Sequence, residues 1–285
     1  MAPGRHYWPG WCYFALENPR WGITIPGMPE IHPTAIVSEK ARLAEDVTVG
    51  PFAIIDAGVE LGPGCTVSAQ AWITGGTLMG VGNSIGYGSI IGADPQDASF
   101  DPATECNVVI GNHNRIREYV TIHRSASAGG STTVGDSNFL MTGVHLGHDV
   151  QMGSHNNLAN NVLLAGHIML GDYVFLGGGG GFHQFIHIGD YAIVQGNAVV
   201  SRDVPPFCMA HGRNELAGLN VIGLRRGGFT PEERLDIKRA YQLLFRGGGN
   251  MSEALAEADE TEWTAGGRKL LDAARSPSRK GLMSR

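Results

Sequence analysis

Read from Ile31, an aliphatic residue returns at every sixth position: IHPTAI, VSEKAR, LAEDVT, VGPFAI, IDAGVE, and so on for eleven hexads to Gln96. The repeat breaks at DASFDPATECNVV, resumes at Ile110 for three hexads, is interrupted by AGGSTT, and runs for twelve more from Val134. First positions are Ile, Val, Leu or Met, with Phe182 once. Second positions are often Gly, Ala or Ser, and fifth positions are mostly small or Val. Six is neither the 3.6-residue period of a helix nor the two-residue period of a strand. It fits a coil in which each hexad is a short strand plus a corner and three hexads complete one turn.

In such a coil the first residue points inward and stacks on its equivalent one turn away, at about 4.8 Å. A single turn cannot bury its own apolar side, so the turns must stack as a solenoid. Corners need positive φ, which Gly, Asn and Asp adopt most easily. Glycine makes up 42 of 285 residues, against an ordinary share of about 7%, and shows no Gly-X-Y period. The fold class expected is therefore mainly β, a parallel β-helix over residues 31–206 with loop insertions near 94–109 and 128–133. Loops thrown out of a rigid solenoid are favoured places for function.

Residues 1–30 lack the hexads and hold three of the five tryptophans among prolines and glycines; an irregular extension is expected there, with Met28 an alternative natural start. After Pro206 the pattern changes, and residues 207–285 are expected to form a helical C-terminal domain. TPEERLDIKRAYQLLFRGGG predicts a helix with Thr230 as N-cap, Pro231 in the first turn, Glu233 completing a capping box and Gly247 as the stop. Leu235, Tyr241, Leu244 and Phe245 are expected on its apolar face. Further helices are expected near 251–259 and 266–275, and the final SPSRKGLMSR is expected to fray.

A formal charge of -6 argues against a nucleic-acid binder. The four cysteines, Cys12, Cys65, Cys106 and Cys208, form no CxxC pair, so neither a disulfide framework nor a thiolate zinc site is expected. No apolar run reaches about 18 residues, and the N-terminus lacks a signal-peptide core, so the expectation is a cytoplasmic protein without membrane insertion. Residues 201–246 differ, with eight Lys/Arg against five Asp/Glu. That net +3 fits either a solvated helical face or a docking patch for an acidic partner.

GVHLGHDV places His145 and His148 three apart, with Asp149 after the second. His148, His167 and His183 follow one another at spacings close to one turn, so they are expected near one edge on successive turns. Two chemistries could use them. Three neutral imidazoles converging on one ion would make a zinc site, as in a hexapeptide-repeat metalloenzyme of carbonic anhydrase type. Alternatively, one imidazole takes a proton from a hydroxyl attacking a thioester, Asp149 orients it, and a backbone N–H such as that of Gly166 holds the oxyanion.

Longer motifs weigh on this choice. IREYVTIHR (116–124), NFLMTGVHLGHDV (138–150), NLANNVLLAGH (157–167), GFHQF (181–185), DVPPF (203–207) and GLNVIGLRRGGF (218–229) resemble the acyl-[acyl-carrier-protein]–UDP-N-acetylglucosamine O-acyltransferase family of lipid A biosynthesis. The resemblance covers roughly residues 31–250. It implies a left-handed β-helix, a homotrimer, and transfer of a 3-hydroxyacyl chain from acyl carrier protein to the glucosamine 3-OH. The donor chain rides on the carrier's phosphopantetheine, so no cofactor and no metal is implied. By motif, His148 is the general base, Asp149 its partner and Gly166 the oxyanion donor. Gln96 and Asp97 are implied sugar or nucleotide contacts, and His145, His167 and His183 line the site. Gln184, Asn220 and Arg226 are implied contacts to the nucleotide or the pantetheine arm. Gly196 falls where the family gauges acyl length, and a glycine there implies room for a long chain. The chain departs from the family pattern at Ser99, where lysine is usual, at Ile222, where Glu is usual, and at Gly227, where a basic residue is common. A related acyltransferase with an altered amino-sugar substrate is therefore a further expectation.

Overall fold

The structure, a computed structural model, describes residues 11–12, 28–276 and 278–284. The extension expected over 1–30 lies mostly outside the described residues; within it Trp11–Cys12 pairs antiparallel with Val37 and Ser38. The chain forms two compact units, one through Val150 and one from Gln151.

In the first unit every hexad contributes a short strand, and the strands build three parallel ladders. One ladder pairs Ile36 with Ile54, Ile54 with Trp72, and Trp72 with Ile90 in steps of 18, three hexads per turn. Ile90 then pairs with Thr121 and Thr121 with His145, steps of 31 and 24. Each of these longer steps exceeds 18 by the length of one interruption of the repeat, first DASFDPATECNVV and then AGGSTT. Both insertions thus leave the coil and return to it, the first with a local register shift between Ile91 and Ala93. First-position residues face inward: Val49, Ile55, Leu61, Val67 and Ile73 are all at most 3% exposed. Burying each such side chain stabilises by about 1.5–3 kcal/mol.

Fifth positions are inward too. Ala53, Val59, Cys65 and Ala71 are fully buried, as are the polar Asn83 and Asn114. These asparagines stay there because they are paired: Asn114 N–H donates to Asn83 Oδ1 (2.8 Å) and Asn138 N–H to Asn114 Oδ1 (2.9 Å). Fourth positions make the corners and take left-handed backbone, including non-glycines such as Phe52, Gln70, Tyr119 and Asp149. That conformation costs an L-residue roughly 1–2 kcal/mol, and here the corners from Phe52 onward impose it repeatedly.

The second unit continues the same rule by itself. Asn157, Phe175 and Ile193 pair in steps of 18, as do Leu163, Gly181 and Val199. Left-handed fourth positions recur at His155, His167, Tyr173, Phe185 and Tyr191. The coil ends in a hairpin of Cys208–His211 and Glu215–Leu219. Four helices follow: α1 (Val221–Arg226), α2 (Pro231–Arg246), α3 (Met251–Asp259) and α4 (Ala265–Arg275).

The capping box of α2 forms as expected, with Glu233 N–H on Thr230 Oγ1 and Thr230 N–H on Glu233 Oε2. Its buried face is Asp236, Ile237, Ala240, Tyr241, Leu244 and Phe245. Leu235 is 59% exposed, contrary to expectation, because the inward stripe runs one to two residues later. Buried Asp236 accepts from Thr264 N–H (2.7 Å) and Thr264 Oγ–H (2.9 Å), joining α2 to the N-cap of α4. The tail expected to fray instead returns to the coil. Asp203 N–H donates to Gly281 O, Met283 N–H donates to Asp203 O, and Met283 is fully buried. Among the described residues no helix is long and apolar enough to cross a membrane.

Candidate active site

The first unit concentrates its titratable groups where the two insertions return to the coil. His148 and Asp149 are the third and fourth residues of the hexad LGHDVQ, so Asp149 takes the left-handed corner (φ 60°). Asp149 Oδ2 lies 2.8 Å from His148 Nδ1, and the two side chains are only 19% and 13% exposed. Asp149 Oδ2 also accepts from Ala126 N–H (3.1 Å), Oδ1 accepts from Ser125 Oγ–H, and Asp149 N–H donates to Thr132 Oγ1 (2.8 Å). A carboxylate that is acceptor on every side draws the imidazole proton to Nδ1, which puts the lone pair of neutral His148 on Nε2.

His145 is one turn along from Thr121 in the same ladder, and its Nδ1 is 2.8 Å from Thr121 Oγ1. Its ring meets His123 edge-on at 5.0 Å. Burial, reinforced by His123, pushes His145 down to about 4. His123 is itself buried, its Nδ1 is 2.6 Å from Asp94 O, and desolvation lowers it as well. Both rings are therefore neutral near pH 7. His123, His145 and His148 are each tied through Nδ1 to a different neighbour.

Arg124, next in the chain after His123, completes the arrangement. Arg124 reaches back into the first insertion through Asp94 Oδ1 (2.9 Å), Thr104 O (2.8 Å) and Pro102 O (2.8 Å), over the ring of Phe100. That loop carries Gln96 and Asp97, both exposed. Asp97 Oδ1 accepts from Ser99 N–H (2.9 Å) and Ser99 Oγ–H (2.8 Å). Those two bonds, and then the charge of His148, hold the Asp97 carboxyl below its usual range. Ser99, standing where the resembled family has lysine, thus closes the turn around Asp97.

In the second unit Gly166 and His167 are third and fourth residues of LAGHIM. Gly166 is buried, and among the described residues its N–H has no acceptor, as the inner corner position dictates. His167 (φ 59°) lies flat on Phe185, with centroids 4.6 Å apart and planes 10° from parallel. The expected stack of His167 with His183 is not formed. The ladder steps by 18, so the mate of His167 is Phe185, while His183 sits two residues earlier in the turn, exposed, with Nδ1 3.1 Å from Gln184 O. Gln184 is exposed as well.

Gly196 leaves little room toward the coil: a Cβ there would lie 3.0 Å from Gly178 O. Asn220 is spent within the fold as N-cap of α1, accepting from Gly223 N–H (2.8 Å) and donating to Tyr191 O (2.8 Å). Arg225 and Arg226 are exposed in the last turn of α1, beside the exposed Ile222. Thr121, His123, Arg124, Ser125 and Phe185 join the candidate residues only through the structure. Their signal is adjacency: the first four sit in IREYVTIHRSAS, immediately before the second insertion.

A coil of hexads that carries a carboxylate-paired histidine at a corner defines a hexapeptide-repeat acyltransferase. Known proteins narrow this. Residues 203–283 match the family described as Udp N-acetylglucosamine O-acyltransferase, domain 2. The chain is 41% identical over 236 residues to the acyl-[acyl-carrier-protein]–UDP-N-acetylglucosamine O-acyltransferase of Paraburkholderia phymatum, covering 82% of this chain and 89% of the relative. It is 45% identical over 224 residues to the same enzyme of a Sulfurovum species, covering 78% and 85%. The crystal structure of the Francisella novicida UDP-N-acetylglucosamine acyltransferase superposes with a TM-score of 0.84 at 36% identity, over 90% of this chain and 94% of that one. The Bacteroides fragilis enzyme gives 0.84 at 37%, over 88% and 99%. The chain belongs to the acyl-[acyl-carrier-protein]–UDP-N-acetylglucosamine O-acyltransferase family. Its β-helix is of the left-handed kind, followed by a short helical part.

Proposed function

We propose that this chain transfers a 3-hydroxyacyl group from acyl carrier protein to the 3-hydroxyl of UDP-N-acetylglucosamine, the first step of lipid A biosynthesis. The observation that carries the reading is the His148–Asp149 pair, at 2.8 Å, on a corner of the coil. Asp149 keeps the proton on Nδ1, so His148 Nε2 takes the proton of the sugar 3-OH as its oxygen attacks the thioester carbon. The tetrahedral oxyanion is assigned to the Gly166 N–H, which has no acceptor of its own among the described residues. The attack forms the ester C–O bond; collapse of the oxyanion restores the C=O bond and breaks the C–S bond. The departing thiolate takes the proton back from the His148 imidazolium. Neither a serine nor a cysteine nucleophile enters these steps.

Gln96, Asp97 and neutral His145 are assigned to the sugar-nucleotide. His167, His183, Gln184 and Arg226 are assigned to the nucleotide or to the phosphopantetheine arm that carries the acyl chain. Asn220, with its amide held by Gly223 and Tyr191, is assigned a supporting place under α1. Gly196, with no side chain to project outward, is assigned to the acyl-length gauge and leaves room for a long chain. Exposed Arg225, Arg226, Lys238 and Arg239 suit acyl carrier protein as an acidic partner. The enzyme is read as a homotrimer acting in the cytoplasm.

The test is an assay with UDP-N-acetylglucosamine and a series of 3-hydroxyacyl carrier proteins. The expected product is the 3-O-acylated sugar-nucleotide, with the longer chains preferred. His148→Ala should lose at least about 10³-fold in kcat while remaining folded and trimeric in sedimentation. Absence of transfer by the wild-type protein from every donor overturns the reading.

A further inference from the structure

We infer that Ser125, with the backbone N–H of Ala126, is a positioning residue that locks the Asp149 carboxylate against His148. The inference rests on the proposed general-base role of His148. Ser125 is fully buried, although it lies just before a surface insertion. Its hydroxyl has two tasks. It accepts from Ser127 N–H (3.0 Å), which turns the chain at the entry to the insertion, and donates its single proton to Asp149 Oδ1. Ser127 O is the only other acceptor for that proton among the described residues, at a long 3.4 Å. Ala126 N–H meanwhile holds Oδ2, the oxygen that also faces His148 Nδ1.

A carboxylate held through one oxygen can still swing about its Cβ–Cγ bond. Held through both, it presents Oδ2 to the imidazole in one orientation. The insertion is shaped around this contact. A Cβ at Gly130 would lie 2.4 Å from Ser125 Oγ and 2.9 Å from Ser127 O, so the loop closes directly over the hydroxyl. The order Ser125–Asp149–His148 places the serine behind the acid, on the side away from the base. Ser125 is thus a support and not a nucleophile.

Removing the hydroxyl has two separable consequences. The carboxylate loses one restraint, which lowers kcat. It also keeps more of its charge for the imidazolium, which favours the protonated base and moves the acid limb of the pH–rate profile to higher pH. The experiment compares wild type with Ser125→Ala and Ser125→Cys, the latter nearly isosteric but a weak donor. Circular dichroism checks folding, kcat and KM are measured against pH, and the Nδ1–H resonance of His148 is followed by NMR. Expected are a roughly tenfold or greater loss in kcat, KM for the sugar-nucleotide within about threefold, an acid limb shifted upward, and a broadened Nδ1–H signal in both variants. Wild-type kcat with an unmoved acid limb in a folded variant overturns the inference. So does a fallen kcat with an unmoved acid limb and an unchanged Nδ1–H signal, since that marks general structural damage. If Ser125→Ala does not fold, Ser125→Cys decides. Because the NMR signature needs no turnover, an inactive wild-type protein would refute the proposed reaction and still leave the Ser125 contact tested.

Discussion

Phe185 lies flat on His167, and the guanidinium of Arg279 sits over the Phe185 ring at 4.6 Å. A tail residue therefore supports a candidate site residue through one aromatic ring. Stacked rings contribute about 0.5–1.5 kcal/mol beyond the area they bury, and an exposed cation over a ring about 0.5–1 kcal/mol. Phe185→Ala should lower the thermal midpoint by several degrees and reduce kcat, because His167 loses its seat. Phe185→Tyr keeps a ring and should sit near wild type in both measurements. An alanine variant as stable and active as wild type would refute the support.

Asp149→Asn keeps the shape of the side chain but removes its charge and changes its hydrogen bonding. Ser125 Oγ–H and Ala126 N–H still need acceptors, so the amide must aim NH₂ at one of them or at His148 Nδ1. Aimed at His148, it favours the tautomer with the proton on Nε2, which cannot act as base. A fall in kcat of about 10²–10⁴, with KM for the sugar-nucleotide nearly unchanged, is the expected outcome in steady-state kinetics. A change confined to KM would mean that Asp149 grips substrate and does not serve the base.

His145 predicts a pH-dependent stability. Its folded value lies near 4, below the ordinary imidazole value of 6.5. A depressed folded pKa means that the unfolded chain binds the proton more readily, so stability is fully present above about 6.5 and is lost as pH falls toward 4. His145→Asn removes that contribution and should flatten the fall in denaturation midpoint over this interval. His123 is lowered too, by burial, and leaves part of the slope in place. Equal slopes in wild type and variant would show that the burial of His145 costs no protonation energy.

The hexads alone made the coil legible, because an inward aliphatic every sixth residue has no other regular solution. Even the insertions could be measured, since the ladders resume at Thr121 and His145 after the stretches that the repeat leaves over. The pair His148–Asp149 was legible because its members are consecutive and share a corner. Ser125 was not, because its contact with Asp149 spans a turn lengthened by the second insertion, and no spacing rule anticipates what a loop packs against. The His167–His183 stack failed for the opposite reason. The step between them is near a turn, but a two-residue slip in a six-residue period moves a side chain from the corner to the flank. Tail residues such as Met283 were invisible because a short polar stretch gives no sign of the groove that receives it.

Deleting residues 278–285 tests that groove. Met283 is fully buried, and its N–H bonds Asp203 O. Exposing a buried methionine site and orphaning the bridge at Asp203 should cost about 2–4 kcal/mol, read as a lower denaturation midpoint. Unchanged stability would return the tail to the frayed state that its composition implies.

Gly227 stands where a basic residue is common in the family, and the structure gives a packing reason. A Cβ at 227 would lie 2.6 Å from the ring of Tyr191. Tyr191 belongs to a column in which His155, Tyr173 and Tyr191 stack at 4.7 and 4.8 Å; it stacks further on Phe207 at 6.1 Å and meets Phe229 edge-on at 5.1 Å. The column occupies successive left-handed corners, so its rings have little freedom to retreat. Gly227→Arg should therefore destabilise by about 1–3 kcal/mol, the usual cost of forcing atoms into a packed site, and should not tighten KM for either substrate. Gly227→Arg combined with Tyr191→Ala opens the space, so the double variant should recover part of the loss caused by the arginine alone. Full stability of the single variant, with a lowered KM, would show that Tyr191 yields and that the missing basic side chain is a loss of substrate contact and not a consequence of packing.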